Sequence, residues 1–419
     1  MTLTNESPAA VTCPHFNPMI PAYQTDPYPI FAELRRDTPV FYSPQYGLWV
    51  VTRYADVATV LKQTDVFSSV GSLQSNVERP ASVRAFLAEH GLADAPLMVE
   101  SDAPVHTRMR RVINKAFTPQ RINLLEPQVR AITDALIDAF VADGEAEFVS
   151  QFALPLPGRV ICDLFGVPHE DFAQIKRWSD EWLELLMAAS PEERLLECAR
   201  STVAFQEYFL AQIRDRQQNP RDDLMTVMLP AELGGTADLT VAEAAYNALD
   251  FVVAGYETTT NVLGNALMQL FAHPQQLATL REHPEHIPHA VEELLRVDTS
   301  VMGMFRVTTR ASELGGVPIP ANARVWVLYS AANHDTEQFS QPEQLDITRA
   351  NAREHMALGK GIHTCIGAPL ARLELRIALE RLLERLPNLR PAEGKPAQRM
   401  EHFWLRGYAS LPIAWDAVR

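Results

Sequence analysis

Residues 355–375, HMALGKGIHTCIGAPLARLEL, surround one cysteine with three glycines and then run directly into a helical pattern. The glycines let the backbone take dihedral angles that other residues avoid, and they let it approach a flat group closely. Pro369 is tolerated in the first turn of a helix, so Cys365 lies just before a predicted helix N-terminus. The amide groups and the dipole at such an end favour a thiolate, which is a metal ligand. A lone cysteine is also often a buried apolar thiol, and the cysteine by itself leaves that alternative open.

The spacing Gly-x-Gly-x-His-x-Cys-x-Gly, followed by Leu-Ala-Arg, is long and specific. It resembles the cysteine-ligand loop of the cytochrome P450 haem-thiolate monooxygenases in their soluble bacterial form. The resemblance implies a mainly α-helical, triangular P450 fold with small β-sheets, heme b (iron protoporphyrin IX) as cofactor, and Cys365 as the iron ligand. It also places Gly359 and Leu358 beside the cofactor. Leu358 departs from the family, which usually has phenylalanine there, so we expect the packing and redox potential of the haem to differ.

The composition and the periodicity of the 419-residue chain are those of one large globular enzyme. Helical periodicity dominates, as in residues 126–143 and 368–386, whereas strand-like runs are short and lie near residues 39–53 and 315–335. No linker divides the sequence, so we predict a single P450 haem domain over residues 1–419.

The charge and the absence of targeting signals limit the partners and the compartment. The formal net charge of -15 disfavours nucleic acid, because phosphate repels an acidic surface. No apolar run is long enough to predict a membrane span, and the N-terminal residues do not form a signal-peptide pattern. The four scattered cysteines suit reduced thiols, so we predict a cytoplasmic protein.

Residues 246–270 are apolar almost all round, which predicts a buried central helix. Ala254, Gly255, Glu257 and Thr258 in this helix resemble the oxygen-activating motif of the family. The resemblance makes Glu257 and Thr258 catalytic residues that deliver protons during oxygen activation, and it places Gly255 where a missing side chain leaves room for dioxygen. A structural bond from Thr258 to a helix carbonyl is the alternative.

Two further sets of residues match positions that the family uses to hold the haem and its surroundings. The haem propionates need charge-assisted partners, and the candidates are His106, Arg110, Arg306 and His363. For His106 and Arg110, a solvated basic helix face is the alternative. The resemblance also implies a structural cluster, in which Glu293 and Arg296 lie one helical turn apart and Arg349 comes from the following segment.

Asp250 is unexpected on the oxygen-activating helix, because the family commonly has an apolar residue there. It lies four residues before Ala254, on roughly the same helical face. We weigh two interpretations equally: recognition of a hydroxyl or cationic group of the substrate, or pairing with an arginine of a neighbouring helix. Other residues are candidates for the pocket because their positions resemble pocket positions of the family, and ordinary core packing is the alternative for each of them. They are Leu97, Met98, Val253, Ala254, Met302, Met304, Phe403 and Trp404.

A local basic stripe is unusual in an acidic protein and predicts a surface for an acidic redox partner, with a solvated basic face as the alternative. Three residues, spaced i, i+3 and i+7 on the helix of His106, and two residues near Cys365 form this candidate patch: Arg108, Arg111, Lys115, Lys360 and Arg372. The implied partners are a ferredoxin and an NAD(P)H-linked ferredoxin reductase. Some segments also resemble haem domains of self-sufficient fusions, so excision from such a fusion stays open.

The expected reaction is hydroxylation, or O-dealkylation, of a small hydrophobic substrate with O2 and two electrons; aromatic and terpenoid compounds are candidate classes. A peroxide-driven peroxygenase and a non-catalytic haem sensor or binding protein are the alternatives. Retention of Glu257 and Thr258 argues against both.

Overall fold

The computed structural model describes residues 11–13, 16–74, 77–91, 95–229 and 239–416. It is predominantly helical with small β-sheets, which confirms the predicted fold class. The chain divides into two compact units. The first unit draws on residues 1–72, 133–154 and 258–419, and the second on residues 73–132 and 155–257. The boundary passes between Glu257 and Thr258, which are consecutive residues of one helix.

The helices follow the apolar periodicity of the sequence. In chain order they are α1 Pro21–Thr25, α2 Tyr28–Asp37, α3 Tyr54–Lys62, α4 Ala81–His90, α5 Val105–Ile113, α6 Pro119–Asn123, α7 Glu126–Asp138, α8 Pro155–Phe165, α9 Phe172–Met187, α10 Glu192–Gln218, α11 Leu224–Val227, α12 Val241–Ala272, α13 Pro274–Glu282, α14 Ile287–Val297, α15 Tyr329–Ala332 and α16 Ala368–Arg385. Within the described residues, no helix combines the length and the hydropathy that crossing a membrane requires.

The strands all lie in the first unit. They are β1 Val40–Ser43, β2 Leu48–Val51, β3 Phe67–Ser68, β4 Glu145–Glu147, β5 Met304–Thr308, β6 Ser312–Leu314, β7 Val317–Ile319, β8 Arg324–Val327, β9 Arg390–Pro391, β10 Gln398–Arg399, β11 Tyr408–Ser410 and β12 Pro412–Ala414. The largest sheet has the order β1-β2-β8-β5-β3, and β2 and β8 pair in parallel.

One face of this sheet packs on α3 and builds a buried cluster that includes Trp49, Val57, Val325 and Tyr329. The cluster also includes Met356, just before the cysteine loop. The loop therefore stands on a close-packed base, which limits its freedom to move. In the second unit α4, α9 and α10 pack through residues such as Val83, Leu185 and Leu195.

Candidate active site

The cysteine loop is closed by its own backbone. The amide of Cys365 donates to the carbonyl of Leu358 at 2.8 Å, and a 3-10 turn, Gly361–His363, lies inside the loop. Gly367 then caps α16. Of the four cysteines, Cys365 is the exposed one, whereas Cys162 and Cys198 are buried. This contrast favours a ligand over a core thiol at position 365, because buried structural thiols are inert.

Glycine is required at two positions of this loop. Gly359 and Gly361 have φ angles of +67° and +74°, which residues with a Cβ rarely adopt. A Cβ on Gly361 would lie 2.7 Å from the carbonyl oxygen of Leu61, so α3 and the loop touch through backbone atoms. A Cβ on Gly359 would lie 3.7 Å from the hydroxyl oxygen of Tyr329.

Arg306 and Tyr329 interact beside this loop. Burial raises the pKa of the Tyr329 hydroxyl, and the charge and hydrogen bond of Arg306 oppose that rise. Arg306 is 3% exposed and donates from Nη1 to the carbonyl of Phe305 at 2.6 Å. Within the described residues its buried Nε has no hydrogen-bond partner. A buried guanidinium with an unmatched donor suits a carboxylate such as a haem propionate. His363 lies on the same loop, with its Nε2 2.9 Å from the hydroxyl oxygen of Ser69.

The two remaining candidate donors to the propionates lie in the second unit. His106 is 2% exposed on α5, and its pKa is lowered by burial and by Arg110, which Asp102 partly offsets. The Nε of Arg110 donates to Asn114 at 3.2 Å. A neutral His106 can still donate one ring N–H, and Arg110 retains its charge. Within the first unit, the exposed thiol, the glycine loop and the buried guanidinium of Arg306 fit a cysteine-ligated haem that carries carboxylates.

Glu257 on α12 is 8% exposed, and burial raises its pKa. Lys176 of α9 opposes this rise, with Nζ 3.9 Å from a carboxylate oxygen of Glu257 and closer to Asp180. A carboxyl with a raised pKa holds a proton at a higher pH than an exposed one and can give it up again. Thr258, the next residue, is half-buried.

Gly255 serves helix packing in this structure. An added Cβ would lie 2.6 Å from Cδ1 of Ile161 on α8, so the space left by the missing side chain holds that isoleucine. Packing against Ile161 therefore accounts for a glycine at this position, and the role of Gly255 in making room for dioxygen stays a prediction. A local sequence pattern cannot report which distant side chain packs against a glycine.

The apolar pocket candidates of the second unit lie on α12 and on a segment that is bound to α12. Leu97 and Met98 are buried, and the Met98 amide donates to Oδ1 of Asn247 on α12 at 2.8 Å. Val253 is 3% exposed, whereas Ala254 is exposed on a helix whose neighbouring residues are largely buried.

The candidates of the first unit form a second group. The amide of Met302 donates to the carbonyl of Trp404 at 2.9 Å, and the Trp404 indole donates to the carbonyl of Gly303 at 2.6 Å. Phe403 packs on the ring of Trp326 with the centroids 5.6 Å apart. Met304 packs against the sheet cluster defined above, so core packing accounts for its position.

A buried charge cluster lies on α14. Glu293 is fully buried and accepts from Arg296 at 2.7 and 2.8 Å and from Arg349 at 3.0 and 3.1 Å. Each arginine also donates to backbone carbonyls, among them that of Gln344. These bonds satisfy two buried cations with one anion and several carbonyls, which fixes the segment before the cysteine loop.

The neighbouring Glu292 was not singled out by the sequence. It accepts from Arg372 at 2.8 and 3.0 Å and lies 3.2 Å from Nε2 of His355. Burial raises the pKa of Glu292, but His355 and Arg372 outweigh it and bring the pKa to about 2. The charge of Arg372 is therefore already compensated, so this residue contributes less to a cationic surface than its type predicts.

The predicted cationic stripe on α5 also needs correction. The helix ends at Ile113, and Ala116 and Phe117 turn inward and are buried, so Lys115 lies beyond the helix and outside its i, i+3, i+7 register. Arg108 forms an ion pair with Glu243. Arg111 remains exposed on the helix. In the first unit the Lys360 ammonium donates to the hydroxyl of Tyr54 at 2.6 Å and lies over its ring.

Comparison with known proteins gives one consistent result. The family model described as "Cytochrome P450" matches residues 30–408. Cytochrome P450 107B1 of Saccharopolyspora erythraea is 37% identical over 94% of this chain and 96% of its own length. The 6-deoxyerythronolide B hydroxylase of the same organism is 33% identical over 94% and 97%. The solved structure of cytochrome P450 CREJ in complex with (4-ethylphenyl) dihydrogen phosphate has a TM-score of 0.90 and 31% identity, and the alignment covers 96% of this chain and all of that one.

Proposed function

Because the chain belongs to the cytochrome P450 family, we propose that it hydroxylates a hydrophobic substrate with electrons from a separate ferredoxin and its NAD(P)H-linked reductase. Proteins of this family bind haem through a cysteine thiolate, and the chain is a P450 monooxygenase. A relative named as a hydroxylase, 33% identical to this chain, supports hydroxylation over O-dealkylation. The substrate classes that we propose are aromatic and terpenoid compounds.

The exposed thiol of Cys365 carries the proposal; it lies just before α16, and the backbone amide of Cys365 donates to the Leu358 carbonyl. We assign the thiolate to the iron, and Arg306, His363, His106 and Arg110 to the propionates. When bound, the haem supplies the reductive activation of dioxygen and the transfer of one oxygen atom to a C–H bond.

Glu257 and Thr258 are proposed to deliver protons. Burial keeps the Glu257 carboxyl protonated to a higher pH, and Lys176 limits that effect. The Glu257 carboxyl can therefore hold a proton that an exposed carboxyl would have lost, give it up and take up another. The Thr258 hydroxyl, at a half-buried point of the same helix, donates the final hydrogen bond to the oxygen substrate.

Spectroscopy tests the thiolate assignment. The reduced haem-loaded chain with carbon monoxide should absorb near 450 nm, as expected for thiolate ligation. Cys365→Ser should abolish that band, and Cys198→Ser should keep it because Cys198 is a buried core thiol. A normal 450 nm band in the Cys365 variant would refute the assignment.

Turnover separates the proposed monooxygenase from its alternatives. With a surrogate ferredoxin, its reductase and NADPH, Thr258→Ala should consume oxygen but form less product per molecule consumed, and Thr258→Ser should restore the ratio. Product formation with hydrogen peroxide alone, at a rate above the ferredoxin system, would favour a peroxygenase. No product with either system would favour a haem sensor.

Charge substitution tests the ferredoxin surface. Arg111→Gln should slow electron transfer at low ionic strength, and the effect should fade as salt screens it. Arg310→Gln is the matched control, because Arg310 is exposed but lies outside the patch and pairs with Asp65. Equal rates for both variants at low salt would remove Arg111 from the proposed surface.

A further inference from the structure

Asp250 lies on α12 and is 9% exposed. Within the described residues its carboxyl group has neither a hydrogen-bond partner nor an ion-pair partner, so the arginine pairing considered from the sequence is absent there. A buried polar group without a partner costs free energy and calls for an explanation such as a ligand.

The helical register places the carboxyl group of Asp250 on the side of α12 that carries Thr258. Asp250 lies one turn before Ala254 and two turns before Thr258, on one side of the helix. Ala254 is exposed and Thr258 is half-buried, whereas Phe251 and Val253 on the other sides are 7% and 3% exposed. A molecule on this face can therefore touch the carboxyl group and the catalytic hydroxyl of the same helix.

A second carboxylate, that of Glu100, lies near enough for its charge to act on Asp250. Glu100 ends the 3-10 turn Met98–Glu100, and Asn247 binds this segment to α12 through the Met98 amide and the Pro96 carbonyl. One oxygen of Glu100 accepts from the amide of Leu73 at 2.9 Å, which fixes the side chain.

The charges around Asp250 are predominantly acidic. Burial and then Glu100 raise the pKa of Asp250 to about 7. Burial is the main reason that the pKa of Tyr246, one turn earlier, rises to about 12, and the charges of both carboxylates add to the rise. Arg79 interacts electrostatically with Tyr246 and Glu100, and its Nε donates to the carbonyl of Leu185 at 3.3 Å. It has no ion pair with Asp250.

We infer that Asp250, with Glu100 beside it, binds a cationic nitrogen of the substrate, so that the chain takes hydrophobic amines in preference to neutral compounds. The inference rests on the proposed hydroxylation and names its substrate class. A hydroxyl donor would satisfy one acceptor and leave the repulsion between the carboxylates in place. A cation compensates the charge of Asp250, and Leu97 and Met98, in the segment bound to α12, supply apolar contacts for the rest of the molecule.

Matched ligands test the inference on the haem-loaded full chain. Each pair has the same aryl-alkyl body and ends in trimethylammonium or in tert-butyl, which have nearly the same shape. A quaternary nitrogen has no lone pair for iron and no titration of its own. Binding is measured by calorimetry and by the Soret shift, over a series of body lengths.

The expected result is that the cation binds roughly 10- to 100-fold more tightly than its neutral match. Asp250→Asn should remove this preference. Asp222→Asn, which makes the same charge change at an exposed position of the same unit, should keep it. Equal binding of both ligands by the native chain, no binding of the cationic series at any length, or a preference that survives in Asp250→Asn would overturn the inference.

A pH series on the native chain gives a readout that does not depend on a variant. The preference for the cation should grow from pH 6 to pH 8 as Asp250 loses its proton, with Glu100, Tyr246 and Arg79 as its charged or titratable neighbours. A preference that is constant or falls over this range would count against the inference. The 450 nm band and turnover of neutral substrates report the proposed function separately, so its failure can be recognised independently.

Discussion

Glu374 on α16 is an unusual buried acid, and its titration should weaken the folded state at alkaline pH. The side chain is 1% exposed, and within the described residues its Oε2 has no hydrogen-bond partner. Burial raises its pKa from the 4.5 of an exposed glutamate to about 8, although a hydrogen bond with Thr259 opposes the rise. A carboxyl whose pKa is higher in the folded state stabilises the fold less as the pH rises through that interval.

The size of the loss in unfolding free energy follows from the interval between the two pKa values of Glu374. Each pH unit between the two pKa values corresponds to about 1.4 kcal/mol of unfolding free energy. Above pH 6 the unfolded chain is already ionised at this position, while the folded chain keeps its proton until about pH 8. The loss between pH 6 and pH 8 should therefore be roughly 2 kcal/mol from this side chain alone.

Glu374→Gln removes the titration and keeps the shape. Urea unfolding of the haem-loaded full chain is measured at pH 6, 7 and 8. The unfolding free energy of the variant, relative to that of the native chain, should rise by roughly 2 kcal/mol from pH 6 to pH 8. Glu384→Gln on the same helix is the control, because Glu384 is exposed, and its difference from the native chain should not change with pH. A constant difference between Glu374→Gln and the native chain would refute the reasoning.

Two further predictions concern the first unit. Asp298→Asn should lower the unfolding free energy at pH 7 by about 3–5 kcal/mol in denaturant titration, because it leaves Arg406 buried without its anion. Burial raises the pKa of Asp298, but Arg406 and other cations hold it well below its usual range, so the difference should shrink as acid protonates the native carboxylate; equal stability at pH 7 would contradict this. Gly361→Ala should lower haem retention and the fraction absorbing near 450 nm, because its Cβ would meet the Leu61 carbonyl. Gly394→Ala has the same left-handed strain but nothing within 4 Å, so it should keep the haem; equal loss in both variants would exclude the contact as the cause.

The parts that could be read from the sequence are those fixed by neighbouring residues. The glycines, the cysteine and the proline of the loop lie within about a dozen positions, so their backbone geometry is local. The mainly helical class likewise follows from apolar periodicity.

The parts that failed depend on distant packing. The basic stripe does not extend to Lys115, because α5 ends at Ile113 and the buried Phe117 follows. The packing of Gly255 against Ile161 could not be predicted, because Ile161 comes from another helix. Periodicity also cannot show that Arg372 already has Glu292 as its partner.

Two adjacent glutamates explain how the cysteine loop is held without a ligand's help. Glu293 fixes the segment before the loop through Arg349, whereas Glu292 binds His355 on one side of Cys365 and Arg372 on the other. A single buried carboxylate thus joins both flanks of the loop to α14. Opening the loop at Arg372 would break the ion pair with the buried Glu292, and opening it at His355 would break a buried hydrogen bond, so either movement costs free energy. The glycines make the loop's shape possible, and the carboxylates of α14 make it rigid, so the thiolate is presented by a preorganised structure.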